Sequence, residues 1–385
     1  MPSAVQQQPP GILLTVNVGS SSVRLDAFDG EGRRLAARHL DEQGSAAADQ
    51  AAAVALLRAF VQDEGLAAIG AIAHRVVHGG ERLTAACRID ASVEAEIDRL
   101  AELAPLHNPP ALAWIRAARA AFPDAVQIAA FDTAFFASLP AVAQTYALPG
   151  TWALRDALRR YGFHGLAHGF LWQRWTQLRP RSTAPGALGR VISLQLGSGC
   201  SIAAVRDGAP LDTSMGFSPL EGLVMGTRCG DLDPGLLLYL LRQHGWSAQD
   251  LEQRLNHACG LLGVSGVSGD VNVLLGAGTD AARLALDLYC YRVRKYLGAY
   301  LAVLGGADAI LFGGGVGEHV PSLRARILAG LQWAGIVLDP VRNAAATGAD
   351  AQISDSASAV DLRVLAVDES AMLLREARAV LAAAS

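Results

Sequence analysis

Three short loops of small residues stand directly after apolar segments of the sequence, where they could bind phosphate. The first is GSSS at 19–22, with Asn17 before it and Arg24 after it; the second is GSGCS at 197–201 and the third is GGGVG at 313–317. Small residues let phosphate oxygens approach backbone N–H groups. None of the loops has the spacing of a P-loop or of a dinucleotide fold. Each loop alone could also be an ordinary turn.

The first two loops each join a pair of predicted strands. Apolar runs at 11–18 and 23–28 flank the first loop, and runs at 190–196 and 202–206 flank the second. These two units stand ~180 residues apart, which indicates a duplicated domain rather than a solenoid repeat. Two phosphate-sized loops in duplicated halves favour a nucleotide clamped between domains, as in the actin-like ATPase fold.

Further elements follow from hydrophobic spacing and from glycine and proline positions. Strands are predicted at 68–77, 125–131, 309–312 and 362–367, and helices at 92–103 and from 370. Residues 31–65 are alanine-rich and polar, and their spacing predicts helix. No low-complexity linker separates the halves, so a short hinge is expected near Pro149 and Gly150.

Composition agrees with a two-domain enzyme. The chain has 385 residues, 51% of them apolar and 18% charged, with a net charge of −4. Single cores usually stop growing at roughly 250–300 residues. The negative charge argues against a nucleic-acid partner, and five scattered cysteines fit reduced thiols. The first ten residues lack a signal-peptide pattern and no apolar stretch is long enough for a membrane span, so a cytoplasmic protein without a membrane partner is predicted.

Seven ordered blocks of the sequence resemble the signature blocks of acetate kinases. They extend from residue 12 to about 370 and so span nearly the whole chain. The blocks are NVGSSS from residue 17, HRVVHGGE from 74, LAPLHNPP from 103, FDTAFF from 131, RYGFHG from 160, DTSMGFSPLEGLVMGTRCGDLDP from 212 and GGGVGE from 313.

The resemblance implies an α/β fold of duplicated actin-like ATPase (ribonuclease H-like) domains with the active site in an interdomain cleft. The expected N-terminal domain is 1–149, completed by a C-terminal helix at 370–385, and the expected nucleotide-binding domain is 150–369. By the same resemblance the protein is expected to be a homodimer.

The blocks also carry residues whose family counterparts act on the phosphoryl group. Arg75 and Arg228 match arginines that flank the acyl phosphate, where a planar guanidinium suits carboxylate and phosphate. His164 matches the histidine that donates to the γ-phosphoryl group in transit, and Asp132 matches an aspartate that orients an arginine or the metal shell. These four residues are the implied catalytic set. No general base is required, because an acceptor carboxylate with a pKa of about 4 is ionised at pH 7.

The implied substrate site is a methyl-sized pocket. Arg75, Val77, Leu106, His107 and Pro219 match the positions that bind the acyl substrate in the family. His107 either contacts the substrate or supports the pocket. Because a small pocket discriminates one methylene by only ~1–3 kcal/mol, acetate is favoured and propionate or butyrate stays open.

The implied nucleotide and metal residues lie in the three loops and at the last helix. Asn17 and Glu369 match the positions implicated in Mg²⁺ binding, with Mn²⁺ as an alternative ion. The residues implied to bind ATP are Asn17, Ser20, Ser22, Arg24, Gly197, Ser198, Gly199, Gly313, Gly314, Gly315 and Gly317.

Several positions depart from the family pattern. Ser198 stands where the second phosphate loop usually carries Asn, which leaves the phosphoryl-donor preference open. Arg24 stands in place of a common Lys. Ser370 replaces a second carboxylate beside Glu369.

The predicted function is acetate kinase, a phosphotransferase with a carboxyl acceptor. It would transfer the γ-phosphoryl group of ATP reversibly and in line to acetate, giving acetyl phosphate and ADP. The alternatives are a kinase for a longer acid, a non-catalytic actin-like nucleotide binder and a hydroxyl-directed sugar kinase.

Overall fold

The computed structural model describes residues 11–19, 22–40, 50–179 and 189–383. The chain forms two compact units: Met1–Ala137 with Asp368–Ser385 is unit 1, and Ser138–Val367 is unit 2. The division into independent domains at 149/150 and 369/370 stays a prediction.

Unit 1 is built on a six-stranded sheet with the order β3-β2-β1-β4-β6-β5. Strands β1, β2 and β3 pair antiparallel, whereas β1, β4 and β6 pair parallel, so the carboxyl ends of those three lie at one edge. The strands are β1 (Ile12–Val18), β2 (Val23–Phe28), β3 (Arg34–Leu40), β4 (Ile69–Val76), β5 (Cys87–Arg88) and β6 (Val126–Phe131).

Among the described residues of unit 1, four longer helices accompany this sheet. They are α1 (Gln50–Asp63), α2 (Ala91–Arg99), α3 (Asn108–Ala121) and α15 (Glu369–Ala383). Helices α1 and α3 pack against each other and share a core with β1, β2 and β4, in which Phe60 and Trp114 are fully buried. Helix α15 packs on β1, β4 and β6, and this brings Glu369 close to their carboxyl ends.

The helix predicted across 31–65 is wrong in its first third. Residues Arg34–Leu40 form β3, which pairs with β2 from Phe28↔Arg34 to Val23↔Leu40. Only Ala36 of this strand is buried, so β3 is an edge strand whose alanines do not reveal a face. Pairing with β2 overrides the helical propensity of the alanines, because propensity is a weak preference that tertiary context reverses.

Unit 2 repeats the strand arrangement of unit 1. Its sheet has the order β9-β8-β7-β10-β12-β11, in which β7, β8 and β9 pair antiparallel and β7, β10 and β12 pair parallel. The strands are β7 (Arg190–Leu196), β8 (Cys200–Arg206), β9 (Ala209–Thr213), β10 (Ala309–Gly313), β11 (Ala351–Gln352) and β12 (Asp361–Val364). This repetition confirms the predicted duplication.

The helices of unit 2 surround this sheet. The 25-residue helix α11 packs on β7, β8 and β9 through residues such as Tyr289, Val293 and Leu297, and α6 packs on β7 and β10. The helices in chain order are α4 (Ala141–Gln144), α5 (Gly150–Asp156), α6 (Gly165–Leu178), α7 (Pro234–His244), α8 (Ala248–His257), α9 (Gly260–Ser265), α10 (Val271–Gly276), α11 (Asp280–Leu304), α12 (Gly314–His319), α13 (Pro321–Leu328) and α14 (Pro340–Ala345). In the part of the chain that the structure describes, no helix has the length and apolar character needed to cross a membrane.

Ser370, one of the departures from the family pattern, is buried against an acidic side chain. Its hydroxyl donates to Asp26 Oδ2 at 2.6 Å, and both residues are at most 1% exposed. Arg24 and Arg34 also pair with Asp26, at 3.0 and 2.8 Å. A carboxylate at position 370 would therefore meet a second buried carboxylate, whereas a serine hydroxyl supplies a hydrogen-bond donor.

We predict that Ser370→Glu destabilises unit 1 by about 3 kcal/mol, because it buries a negative charge beside Asp26. The double variant Asp26→Asn/Ser370→Glu should recover part of that loss, since the amide removes the like charge. Urea unfolding followed by circular dichroism measures both. Additive losses in the double-mutant cycle would contradict the account.

Candidate active site

Four predicted site residues of unit 1 meet at the carboxyl ends of its parallel strands. Asn17 lies near the end of β1, Arg75 is the penultimate residue of β4, and Asp132 directly follows β6. Glu369 is the first residue of α15. Residues about 350 positions apart in the chain thus come into direct contact, since Asn17 Nδ2 donates to Glu369 Oε2 at 2.7 Å.

Arg75 is the centre of this cluster. Its Nη2 donates to Asp132 Oδ2 at 2.7 Å and its Nε to Oδ1 at 3.1 Å, which makes a two-pronged pair. Its Nη1 donates to Asn17 Oδ1 and Glu369 Oε2, both at 3.2 Å. Asp132 therefore fixes the direction of the Arg75 guanidinium, and its role in the reaction stays a prediction.

The charges of the cluster favour a cation nearby. Burial lowers the pKa of Arg75, but the Asp132 and Glu369 carboxylates outweigh that effect and hold the pKa above its usual value. The guanidinium therefore stays charged. Two carboxylates around one guanidinium leave the cluster one negative charge in excess.

A magnesium ion fits this cluster through Glu369. The Oε2 atom accepts from Asn17 and Arg75, whereas Oε1 has no protein donor among the described residues, and the side chain is 15% exposed. Both Asp132 oxygens accept from Arg75. The described residues contain no group of three or more His, Cys, Asp or Glu suited to a metal. One carboxylate agrees with Mg²⁺, which typically keeps several waters and substrate phosphates as ligands.

The other predicted residues of unit 1 lie in neighbouring segments. Val77 is buried directly after β4, Leu106 is 42% exposed, and His107 precedes the first residue of α3. The buried Asn108 joins these segments, since its side chain bonds both the N–H and the C=O of His78 at 3.1 Å. Sequence reasoning did not single out Asn108.

The first phosphate loop is described only in part. Ser20 lies outside the described residues. The carbonyl of Ser22 accepts from Gly19 N at 2.8 Å. Arg24 pairs with Asp26, and its role toward phosphate stays a prediction.

In unit 2, His164 and Arg228 meet beside a glycine of the second phosphate loop. A Cβ on Gly199 would stand 3.4 Å from Arg228 Nη2 and 3.5 Å from His164 Nε2. His164 precedes α6 in a left-handed conformation with φ of 59°. Only a few per cent of non-glycine residues adopt this conformation, which concentrates at functional sites.

Arg228 differs from Arg75 because no carboxylate of the described residues lies beside it. Its Nη1 donates to the carbonyl of Pro219 at 2.8 Å, and among the described residues it forms no ion pair. Burial lowers the pKa of Arg228 from its ordinary value, with a smaller opposing effect of Cys200. A partly buried cation without a counter-ion is a ready site for an anion.

Two hydrogen-bonded clamps hold the loop that carries Pro219 and Arg228. In the first, Arg160 Nη2 donates to Glu221 Oε1 at 2.6 Å, and Tyr146 donates to the other Glu221 oxygen. In the second, Asp231 accepts from Tyr296 at 2.8 Å and from the backbone N–H of Gly222 at 2.8 Å. Sequence reasoning did not assign these positioning roles, although Arg160, Glu221 and Asp231 lie inside the signature blocks.

The backbone at Gly260 packs closely against the backbone of Arg228. The φ of Gly260 is +61°, and a Cβ there would stand 2.7 Å from the carbonyl oxygen of Arg228. The close approach of this backbone is therefore restricted to glycine.

The two glycine loops of unit 2 follow neighbouring strands. Residues 197–199 turn from β7 into β8, and Gly313 ends β10, which pairs with β7 at Gly313↔Gln195. Gly314 has φ of +77°, and a Cβ there would stand 2.6 Å from the carbonyl oxygen of Leu196. Gly315 is exposed in open space and Gly317 is buried. Ser198 is exposed at the tip of its turn.

Behind His164 lies a row of hydrogen bonds that sequence reasoning missed. His164 Nδ1 lies 2.9 Å from Ser201 Oγ, which lies 2.8 Å from His168 Nε2. His168 Nδ1 in turn lies 2.7 Å from Ser193 Oγ. The spacing of four residues between His164, directly before α6, and His168, within α6, was the signal available in the sequence.

Unit 2 brings the Arg228 guanidinium, the His164 imidazole and a glycine loop together at a strand end of the repeated sheet. This fold and this site define a phosphotransferase of the actin-like ATPase fold. The chain belongs to the acetokinase family, whose model matches residues 31–375. This confirms the family resemblance of the seven sequence blocks.

Individual relatives agree with this membership. An acetate kinase from Solibacter usitatus (strain Ellin6076) is 46% identical over 316 residues, which cover 81% of this chain and 76% of the relative. The crystal structure of Porphyromonas gingivalis acetate kinase has a TM-score of 0.85 at 33% identity and covers 96% of this chain and 100% of that one. A propionate kinase from Francisella tularensis subsp. tularensis SCHU S4 has a TM-score of 0.84 at 31% identity, with 95% and 98% coverage.

We predict that Gly199→Ala lowers kcat by about 100-fold while the protein folds normally. The backbone at Gly199 does not need a positive φ, and the new methyl group makes ordinary contacts of 3.4–3.5 Å with Arg228 and His164. It occupies the space between the two donors. Steady-state kinetics and thermal melting measure the two effects.

Gly298→Ala is the matched control, because Gly298 lies in α11 with open space around its Cβ position. Its activity should equal that of the unsubstituted protein. Full activity of Gly199→Ala would show that the space beside Arg228 and His164 is not used.

Proposed function

We propose that the protein is an acetate kinase that transfers the γ-phosphoryl group of ATP reversibly to acetate, giving acetyl phosphate and ADP by direct in-line transfer. The observation that carries this proposal is Arg228, a partly buried guanidinium that has no counter-ion among the described residues and faces Gly199 together with His164. Donors placed around a phosphoryl group in transit are the main requirement of this reaction.

The hydrogen bonds that Arg75 donates to Asp132 argue against a hydroxyl group as the phosphoryl acceptor. A sugar kinase needs a carboxylate base near the acceptor, whereas Asp132 accepts from Arg75 through both oxygens. An acetate ion needs no base, since it is already ionised at neutral pH. Arg75, held by Asp132, would bind the acceptor carboxylate or the phosphoryl oxygens. Arg228 and His164 would stabilise the charge on the transferred group.

The nucleotide would be held by the loops of unit 2. Residues 197–199 and 313–317 follow neighbouring parallel strands, which is where open α/β sheets bind ligands. The exposed Ser198 and Gly315 would lie nearest to ATP. For the first loop, a contribution of Asn17, Ser20, Ser22 and Arg24 to phosphate binding is proposed from the family resemblance alone.

Mg²⁺ would be held by Glu369, with Asn17 orienting that carboxylate; Mn²⁺ is the alternative ion. When bound, such an ion neutralises phosphate charge. The excess negative charge of the Arg75 cluster supports this assignment. Acyl phosphate formation should depend on the concentration of Mg²⁺ and disappear with a chelator.

A contribution of Val77, Leu106, His107 and Pro219 to binding the acyl group is proposed from the family resemblance. The 42% exposure of the apolar Leu106 supports a role in binding. Propionate is the second candidate substrate, because the Francisella tularensis propionate kinase resembles this chain about as well as the acetate kinase structure does.

The direct test is acyl phosphate formation with ATP, Mg²⁺ and acetate, propionate or butyrate, trapped as the hydroxamate. We expect product with acetate, and the substrate series reports chain-length preference. Arg228→Ala should lower kcat by about 1,000-fold with a much smaller change in the KM for ATP, since it removes a group that acts on the transition state.

Arg283→Ala serves as control, because Arg283 lies 63% exposed at the start of α11. The absence of product with all three acids would refute the enzyme. Equal losses in kcat and nucleotide affinity would make Arg228 a binding residue only.

A homodimer is proposed for the same protein. Helix α7 contains no buried residue although it is mostly apolar, and its Leu236, Leu238 and Tyr239 are 41–56% exposed. An apolar helix surface of this kind is typical of an interface.

A cytoplasmic location is also proposed, because ATP is the expected co-substrate. The five free cysteines agree with a reducing compartment.

We predict a solution mass of twice 40.2 kDa and its reduction to the single-chain mass in Leu238→Arg. The charge would be buried at the interface without a partner. Light scattering after size exclusion measures the mass. Val341→Arg is the control, since Val341 is an apolar residue, 77% exposed, in the separate helix α14, and this variant should stay dimeric. A single-chain mass for the unsubstituted protein would contradict the prediction.

A further inference from the structure

The hydrogen bonds behind His164 form one continuous row through the interior of unit 2. The row runs from His164 Nδ1 to Ser201 Oγ, across the ring of His168, and ends at Ser193 Oγ, with steps of 2.9, 2.8 and 2.7 Å. Ser193, Ser201 and His168 are all 0% exposed. Water therefore does not compete for these groups.

The number of hydrogens that can be donated within this row limits the arrangement of its hydrogen bonds. Each serine hydroxyl has one hydrogen, and a neutral imidazole has one N–H donor and one acceptor nitrogen. Burial lowers the pKa of His168 to about 3, so its ring is neutral at pH 7. Its two nitrogens must then play opposite roles toward the two serines. The row can run in only two directions, one the reverse of the other.

Ser193, at the end of the row away from His164, determines in which direction the hydrogen bonds of the row are donated. Among the described residues, its hydroxyl has no hydrogen-bond partner other than His168 Nδ1. A buried hydroxyl hydrogen without an acceptor is unfavourable, whereas an unused oxygen lone pair is tolerated. Ser193 therefore donates to Nδ1 of His168.

The positions of the remaining hydrogens in the row follow from the donation by Ser193. His168 carries its hydrogen on Nε2 and donates to Ser201 Oγ. Ser201 then directs its own hydrogen to Nδ1 of His164. A neutral His164 that accepts at Nδ1 carries its hydrogen on Nε2, the nitrogen 3.5 Å from the Cβ position of Gly199.

We propose that Ser193, His168 and Ser201 are positioning residues that hold neutral His164 in the tautomer with its hydrogen on Nε2. In that tautomer His164 presents a hydrogen-bond donor beside Arg228 without needing a positive charge. The tautomer rests on the hydrogen-bond geometry of the row and on the buried, neutral ring of His168, and it does not depend on the proposed function. Its use as a donor to the phosphoryl group rests on the proposed function.

The test is the tautomer of His164 read by NMR. Protein labelled with ¹⁵N-histidine gives two-bond ¹H–¹⁵N correlation spectra, in which protonated and unprotonated ring nitrogens differ in chemical shift. His164→Asn assigns the His164 signals by their loss. We expect the Nε2–H pattern for His164 and for His168 in the unsubstituted protein at pH 7. An Nδ1–H pattern for His164 would overturn the proposal.

Ser201→Ala removes the donor to His164 Nδ1. We expect its His164 signals to move toward averaged tautomers, and kcat to fall about tenfold or more with a smaller change in the KM for ATP and for acetate. Ser193→Ala removes the selecting proton instead and should disturb both histidine patterns. It provides a second reading if Ser201→Ala does not fold. An unchanged His164 spectrum in whichever variant folds would overturn the proposal.

Two further variants separate positioning from general stability. Ser201→Thr keeps the hydroxyl and should preserve the His164 tautomer. Ser358→Ala, in the segment before β12, loses hydroxyl bonds to Val337 N and Val360 O but lies outside the row, so its His164 spectrum should not change. If the NMR patterns are as expected but no acyl phosphate forms, the proposed function fails and the tautomer assignment stands.

Discussion

Unit 2 is arranged around a partly buried guanidinium, that of Arg228, which has no carboxylate partner in the part of the chain that the structure describes. Removing Arg228 from water lowers its pKa and opposes folding, since a desolvated charge without a counter-ion is unfavourable. The surroundings hold it in place through backbone groups: the carbonyl of Pro219 accepts from it, and Gly260 packs against its main chain. The Glu221 and Asp231 clamps secure the loop on either side. The structure thus keeps a cation available to an anionic ligand.

Arg75 is also a guanidinium largely removed from water, but carboxylates lie beside it. Its charge is balanced by Asp132 and Glu369, so its guanidinium is fixed in direction and the cluster has an excess negative charge. Unit 1 therefore offers a rigid arginine and a carboxylate oxygen suited to a cation, and unit 2 offers an unbalanced cation suited to an anion. The duplicated sheet supplies the same strand ends in both units, and the side chains placed there give the two ends different chemistry.

Much of the fold was predictable because it depends on local pattern. Alternating apolar runs and glycine loops located the strands around both phosphate loops and revealed the duplication. Strand β3 was missed, because the pairing of Arg34–Leu40 with β2 depends on a neighbour and not on the alanine-rich sequence itself. For the site, the family resemblance indicated Arg75, Asp132, His164, Arg228 and Glu369, which lie in two clusters, one in each unit. Their catalytic and metal-binding roles stay predictions. The sequence did not indicate Ser201, which bonds His164, or Ser193, which bonds His168. Asn108, which bonds the backbone of His78, was not indicated either.

The sequence by itself determined the residue types, their order and hence the family, because these are properties of the chain and are independent of distance. Only the tertiary structure decided which of two identical side chains is neutralised: Arg75 meets carboxylates at positions 132 and 369, and Arg228 meets none among the described residues. It also decided that Ser370 faces a buried Asp26 and that His168 stands behind His164. Charge balance, burial and proton position depend on distances between residues remote in the chain, and these distances exist only after folding.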